Sequence, residues 1–213
     1  MTAPCIVVAD DHPLFRDALS GIISAGFSGA SVVSAEDLTT TIKALEETAD
    51  VDLVLLDLNM PGVQGFSGLI FLRGQYPTIP IIVVSGNEDL DTIRRSISLG
   101  ASGFIPKSSD TDTIKGAMNS VLDGGVWVPD QAAIDNETED DELLEIASRL
   151  STLTPQQMRV LMMLKEGLLN KQIAYELNVS EATVKAHVSA ILQKLDVNSR
   201  TQAVIVASKI AST

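Results

Sequence analysis

The chain has one cysteine in 213 residues, Cys5. No disulfide can form within it, and a buried apolar thiol is the role left to a cysteine inside the run Cys5–Ala9. Nowhere do about 18 apolar residues follow one another, the length that a bilayer span demands. The first residues lack a basic stretch followed by an apolar one, so no export signal is read there and a cytoplasmic protein is expected, with no membrane partner. No internal repeat or low-complexity tract is evident, which sets repeat architectures aside.

Positive charge is also scarce, with 15 Lys and Arg against 28 Asp and Glu and a net charge of −13. The scarcity is uneven. Residues 1–128 carry 7 basic and 16 acidic side chains, residues 129–150 carry 1 and 8, and residues 151–213 carry 7 and 4. An acidic chain with a basic C-terminal segment predicts nucleic-acid contact confined to that segment. The length suits two small domains. The expected division is 1–128, an acidic linker with a short helix at 129–150, and 151–213.

The first domain reads as five β/α units. Strands are expected near 5–9, 31–34, 53–57, 81–85 and 103–105, with helices near 14–25, 37–48, 67–75, 89–99 and 111–123. Runs such as Val54-Leu55-Leu56 and Ile81-Ile82-Val83-Val84 suit strands covered on both faces of a parallel sheet. Four of the runs end in a polar residue of a different kind. Cys5–Ala9 leads into Asp10 and Asp11, Leu53–Leu56 into Asp57, Ile81–Val84 into Ser85, and Gly103–Pro106 into Lys107. In an open parallel α/β sheet, residues at the carboxyl ends of the strands converge on one crevice.

Residue type then assigns the chemistry. Neighbouring carboxylates repel unless a hard cation lies among them, and Mg²⁺ takes oxygen ligands while keeping waters that a phosphate can displace. Asp10 and Asp11 are the metal side. Asp57 is placed to attack a phosphoryl group as a carboxylate nucleophile, Lys107 supplies positive charge, and Ser85 a hydroxyl donor. Capping of the following helices would explain Asp10 or Asp57 singly, but not the whole ordered series.

The residues Asp10-Asp11-His12-Pro13-Leu14-Phe15-Arg16, Asp57-Leu58-Asn59-Met60-Pro61-Gly62, Ser85-Gly86 and Gly100–Lys107 resemble the receiver domain of a two-component response regulator over about residues 4–125. The resemblance implies a doubly wound five-stranded parallel sheet of order 2-1-3-4-5 and phosphoacceptance by Asp57. It also implies that Mg²⁺ is held by Asp11, Asp57 and the Asn59 backbone carbonyl, with Asp10 in support. Ser85 and Phe104 correspond to its switch pair, Ser85 drawn to the phosphate and Phe104 moving inward. One departure is that Lys107 is followed by Ser108 rather than by proline, which removes the usual reason for a cis bond there.

Gly124-Gly125 and Pro129 end this domain, and the acidic stretch from Asp130 to Glu145 opens the linker. Leu143, Leu144, Ile146, Ala147 and Leu150 predict a short amphipathic helix. Beyond it the pattern is all-α. Thr154-Pro155-Gln156-Gln157 is a capping box with proline at the first helical position, and Gly167 suits the stop of that helix. Asn170 and Ser180 can cap the next two helices, and Ser199-Arg200-Thr201-Gln202 is a second capping box. Four short helices in a basic segment predict a helix-turn-helix unit.

In the third helix Val184, Val188, Ile191, Leu192 and Leu195 share one face, leaving Lys185, Ala186, Ser189 and Gln193 on another, with Thr183, His187 and Lys194 at the sides for phosphates. The segments Leu153–Gln157, Gly167–Ala174, Val179–Val188 and Lys194-Leu195 resemble the LuxR-type helix-turn-helix. Joined to a receiver, this is the architecture of the NarL/FixJ class of response regulators. By that resemblance Lys185, Ala186 and Ser189 face bases, and the helix over about Ser199–Ile210 pairs two chains.

The function expected is a transcription factor that a sensor histidine kinase phosphorylates. Dimerisation on phosphorylation and binding to inverted-repeat DNA complete the expectation, the acidic part covering or repelling access to the helix around Lys185 beforehand. The main rival is a haloacid-dehalogenase-like phosphatase. Such enzymes place a second carboxylate two residues after the nucleophile, where this chain has Asn59, so leaving-group protonation would lack its catalyst. A second rival is a phosphorylation sink or assembly module whose helices bind protein.

Overall fold

The computed structural model describes residues 3–61, 63–129 and 141–211, so the acidic stretch expected from Asp130 lies outside the described residues as far as 140. The first half alternates in the order β1 (Cys5–Ala9), α1 (Pro13–Gly26), β2 (Ser31–Ala35), α2 (Leu38–Glu47) and β3 (Leu53–Asp57). A small hairpin follows, β4 (Asn59–Met60) with β5 (Val63–Gln64), and then α3 (Ser67–Gln75), β6 (Ile81–Ser85), α4 (Leu90–Ser98), β7 (Gly103–Pro106) and α5 (Thr111–Leu122). The second half is helical: α6 (Asp141–Ser151), α7 (Pro155–Lys165), α8 (Asn170–Glu176), α9 (Glu181–Lys194) and α10 (Arg200–Ala211).

The five long strands form one parallel sheet in the order β2-β1-β3-β6-β7. With the antiparallel hairpin set aside, this is the expected 2-1-3-4-5. Every residue of β3 and β6 is buried, because helices cover both faces of the sheet. The hairpin has no counterpart among the expected strands; two residues a side are too few for an alternation to be read. Its Met60 and Val63 turn into the core.

Helix starts follow local chemistry. Asp37, Asp89 and Asp110 cap α2, α4 and α5, their carboxylates accepting from Thr40, Thr92 and Thr113 N–H. Thr154 and Gln157 complete the expected capping box of α7, and Gly167 beyond that helix takes φ +86°. Ser180 caps α9 and Ser199 caps α10. Asn170 behaves otherwise. It is the first residue of α8 rather than its cap; Leu169 holds the cap position, its N–H bonded to Gln172 Oε1, and Asn170 Oδ1 instead accepts from Arg200.

One apolar cluster runs through both halves, joining Phe66, Leu69 and Phe71 to Leu143, Ile146, Leu150 and Ile210. Helix α6, the short amphipathic helix that Leu143, Ile146 and Leu150 predict, is the seam. It lies against α3 at Gly74, where a Cβ would stand 2.5 Å from Ser151 Cβ and 2.8 Å from its carbonyl oxygen. Glycine inside a helix costs about 1 kcal/mol against alanine, and here it permits the close approach. Gln75 Nε2 adds a bond to the Ser151 carbonyl at 3.2 Å. Among the described residues no helix is long and apolar enough to cross a membrane. We expect Gly74→Ala to push α6 off α3 and to speed amide hydrogen exchange over 143–150 several-fold, with β1 and β3 unchanged. Unaltered exchange over 143–150 would show that the close approach does not hold the seam.

Candidate phosphoacceptor site and nucleic-acid interface

Strand register brings the polar strand ends together. Ala9 pairs with Leu56, which sets Asp10 level with Asp57. Asp57 pairs with Val84, and Ser85 with Pro106, so Ser85 and Lys107 stand one step beyond. Lys107 N–H closes the edge by donating to the Ser85 carbonyl at 2.8 Å. Asp10, Asp57 and Ser85 are all buried. Asp57 lines a cavity of about 660 Å³ together with His12, Phe15, Asn59, Asn87 and Lys107.

The Lys107 ammonium is the electrostatic centre. It lies 2.7 Å from Asp10 Oδ2 and 2.8 Å from Asp57 Oδ2, and 5.0 Å from the centre of the Phe15 ring. Burial disfavours its charge, but the bonds to the two carboxylates outweigh that and hold its pKa above the usual lysine value. Burial dominates at Asp57 and raises its pKa, although Lys107 and the Asn59 N–H, 3.2 Å from Oδ1, pull the other way. The peptides around Lys107 are trans, as they are throughout the described residues.

The carboxylates fit a cation. Asp10 Oδ2 and Asp11 Oδ1 are enclosed yet accept no well-directed hydrogen bond. Their close neighbours are ionic, Lys107 Nζ at the first and His12 Nδ1 2.7 Å from the second. The four residues Asp10, Asp11, His12 and Asp57 can each turn one ligand atom to a common point. His12, Phe15 and Arg16 received no role in the sequence reading. Arg16 Nη1 donates to the Asp10 carbonyl at 2.5 Å. The signal for His12 was present in its position directly after Asp11.

Both residues of the expected switch pair, Ser85 and Phe104, are buried. Phe104 lies in the main cluster with Val83, Ile93, Leu99 and Ala101. Ser85 Oγ accepts from Asn87 N–H at 3.1 Å, and Asn87 Nδ2 donates to Thr92 Oγ1 at 3.1 Å. That chain of bonds leads from the strand end into α4.

On α9, Val184, Ile191 and Leu195 are buried, while Thr183, Lys185, Ala186, Ser189 and Gln193 are exposed. Lys185 meets Glu181 at 3.3 Å, one turn away, and His187 is half-buried. Lys194 turns inward, its ammonium donating to the Thr152 carbonyl at 2.6 Å and to Gln157 Oε1 at 2.8 Å. Among the described residues, the outer face of α9 around Lys185 is not covered by the acidic half. The helix seated on the first domain is α10. Phe66 N–H donates to the Ile210 carbonyl at 3.1 Å and Arg95 Nη2 to the Lys209 carbonyl at 3.1 Å, with the Arg95 guanidinium 5.0 Å from the centre of the Phe66 ring. These donors meet the negative end of a helix.

Comparison with known proteins agrees with this geometry. Residues 6–119 match the response regulator receiver domain, and residues 151–207 match the luxR family of bacterial regulatory proteins. The glycerol metabolism activator of Pseudomonas putida is 42% identical over 210 residues, a span covering 96% of this chain and 95% of that protein. The nitrate/nitrite response regulator protein NarP of Escherichia coli is 33% identical over 201 residues, 94% of this chain and 92% of NarP. A LuxR family DNA-binding response regulator from Silicibacter pomeroyi shares 29% identity at a TM-score of 0.53, over 61% of this chain and 98% of that one. Salmonella typhimurium RcsB, at 23% identity and a TM-score of 0.57 over 99% and 100% of the two chains, shares the fold.

A receiver joined to a LuxR-type helix-turn-helix defines a transcription regulator of the two-component systems. Within that class, the chain belongs to the NarL/FixJ response regulators.

The raised pKa of Asp57 has a consequence for stability. The folded protein takes up this proton at higher pH than the unfolded chain, so ionised Asp57 lowers stability at neutral pH, and the loss is relieved as pH falls through the folded value towards 3.8. With chelator present, Asp57→Asn is expected to raise the melting temperature at pH 7, the gain shrinking towards pH 4. A gain that does not vary between pH 7 and pH 4 would contradict this.

Proposed function

We propose that Asp57 accepts a phosphoryl group from the phosphohistidine of a sensor kinase or from a small phosphodonor. The carboxylate oxygen forms the new P–O bond as the P–N or P–O bond of the donor breaks. What carries this reading is the convergence of four strand ends on one cavity, with a lone ammonium bridging the nucleophile and Asp10. Lys107 holds positive charge where the phosphate oxygens arrive, and Ser85 offers its hydroxyl. Asp11, Asp57 and the Asn59 carbonyl, with Asp10 behind them, would hold Mg²⁺, which when bound neutralises charge on the incoming phosphate.

The response passes through α4 in this reading. A phosphate that takes the Ser85 hydroxyl breaks the Ser85–Asn87–Thr92 hydrogen-bond chain and shifts the start of α4. Arg95, one turn further along that helix, then loses its hold on the end of α10. This is a two-state element biased by one charged group. Freed α10 pairs with that of a second chain, and the two-fold dimer reads an inverted repeat with half-sites about 34–36 Å apart. Lys185, Ala186 and Ser189 face bases, and Thr183 and His187 lie towards phosphates. Lys194, committed to Thr152 and Gln157, braces α9 against α7.

Two experiments test the reading. With Mg²⁺ and a phosphodonor, the wild type should gain a single phosphate at Asp57 and bind such a repeat more tightly; Asp57→Asn should lose both responses, and Arg95→Ala should bind tightly without the donor. Undiminished phosphorylation of Asp57→Asn would refute the assignment. Lys185→Ala should weaken binding to the specific site by about 1–3 kcal/mol with little change on random DNA. Equal losses on both DNAs across a salt titration would move Lys185 from base to phosphate.

A further inference from the structure

The cation site at the strand ends contains a nitrogen donor. His12 Nδ1 lies 2.7 Å from Asp11 Oδ1, 3.1 Å from Asp10 Oδ1 and 3.9 Å from Asp57 Oδ2. In an octahedral site with metal–ligand bonds of about 2.1 Å, neighbouring ligand atoms stand about 3 Å apart and opposite ones about 4.2 Å. The ligand atoms of Asp10, Asp11, His12 and Asp57 all fall within 4.8 Å of one another, close to the span of an octahedral ligand set.

Asp10 serves two sides. Its Oδ2 faces Lys107 at 2.7 Å, while its Oδ1 faces His12 and also accepts the His12 backbone N–H at 2.8 Å. An ion held by Asp11 and His12 Nδ1 beside Asp57, with Asp10 Oδ1 in support, therefore need not displace the ammonium from Asp10 Oδ2. The His12 backbone is tied to the same carboxylate that its ring faces, so the ring starts beside its co-ligands. Its side chain is 66% exposed, which leaves the ring free to settle on an ion.

We propose that His12 is a metal ligand, giving this receiver a mixed carboxylate–imidazole site that selects first-row transition-metal dications over Mg²⁺. The physical ground is ligand type. Mg²⁺ favours oxygen and retains its waters, whereas the later first-row dications gain from an imidazole nitrogen. Loading the protein with such an ion would turn the His12 ring from the Asp11 carboxylate onto the metal and make metal supply a second input beside the phosphodonor. This inference rests on the cation site of the proposed function and adds a ligand to it.

Co²⁺ is a suitable probe because it takes the same octahedral geometry and reports its ligands. X-ray absorption on tag-free wild-type protein with one equivalent of Co²⁺ should show one imidazole in the first shell, absent in His12→Asn. The ratio of Co²⁺ to Mg²⁺ affinity, from competition calorimetry, should fall at least about tenfold in that variant. An all-oxygen shell in the wild type, which needs no variant to fold, would overturn the inference, as would an unchanged affinity ratio. Phosphorylation of the wild type in Mg²⁺, run in parallel, keeps the two readings apart. An all-oxygen shell with phosphate at Asp57 defeats His12 alone, and an imidazole shell without phosphate at Asp57 defeats the phosphoacceptor reading alone.

Discussion

The bridge from Lys107 to Asp10 and Asp57 is the interaction on which the rest of this structure turns. Two buried carboxylates side by side are unfavourable, and burial alone would drive a proton onto one of them. One ammonium at 2.7 and 2.8 Å makes the pair tolerable. Because the lysine comes from the far end of the sheet, that single charge ties β7 to β1 and β3. In the proposed function the same charge would meet an incoming phosphate, so that one group would serve both the stability of the pocket and its reactivity.

A second dependence joins the halves of the molecule. Helix α10 ends with carbonyls that have no partner within the helix, and the receiver supplies donors for them from Phe66 and Arg95. These bonds satisfy groups that water would otherwise satisfy, so the contact is worth little per bond. Most of its stability comes from the apolar seam of α3 and α6, where Gly74 allows the approach. In the proposed function, a modest polar latch over an apolar hinge would let a small change at α4 alter the latch without dismantling the hinge.

The outer face of α9 is not hidden by this arrangement. Lys185, Ala186 and Ser189 stay exposed while α10 is seated on the receiver, so in the proposed function control would fall on pairing of two chains rather than on access to DNA. Electrostatics adds to this. An acidic receiver beside a basic helical segment weakens the pull of DNA on the closed chain at long range.

Much of this was legible in the amino-acid order. The five strands, their order, the caps at Thr154 and Ser180, and the convergence of Asp10, Asp57, Ser85 and Lys107 follow from local patterns: unbroken apolar runs, polar terminators and capping residues act within a few positions, where sequence is explicit. What required the tertiary structure acts between distant segments. Asn170 became a partner of Arg200, Lys194 a brace to Thr152 and Gln157, and Phe104 a core residue from the outset, because each was settled by what packed against it. The seat of α10 on Phe66 and Arg95 joins positions more than a hundred residues apart, and the turn of His12 towards three carboxylates depends on a loop conformation. Neither carries a periodic signal, since the geometry that creates them exists only once the chain has closed.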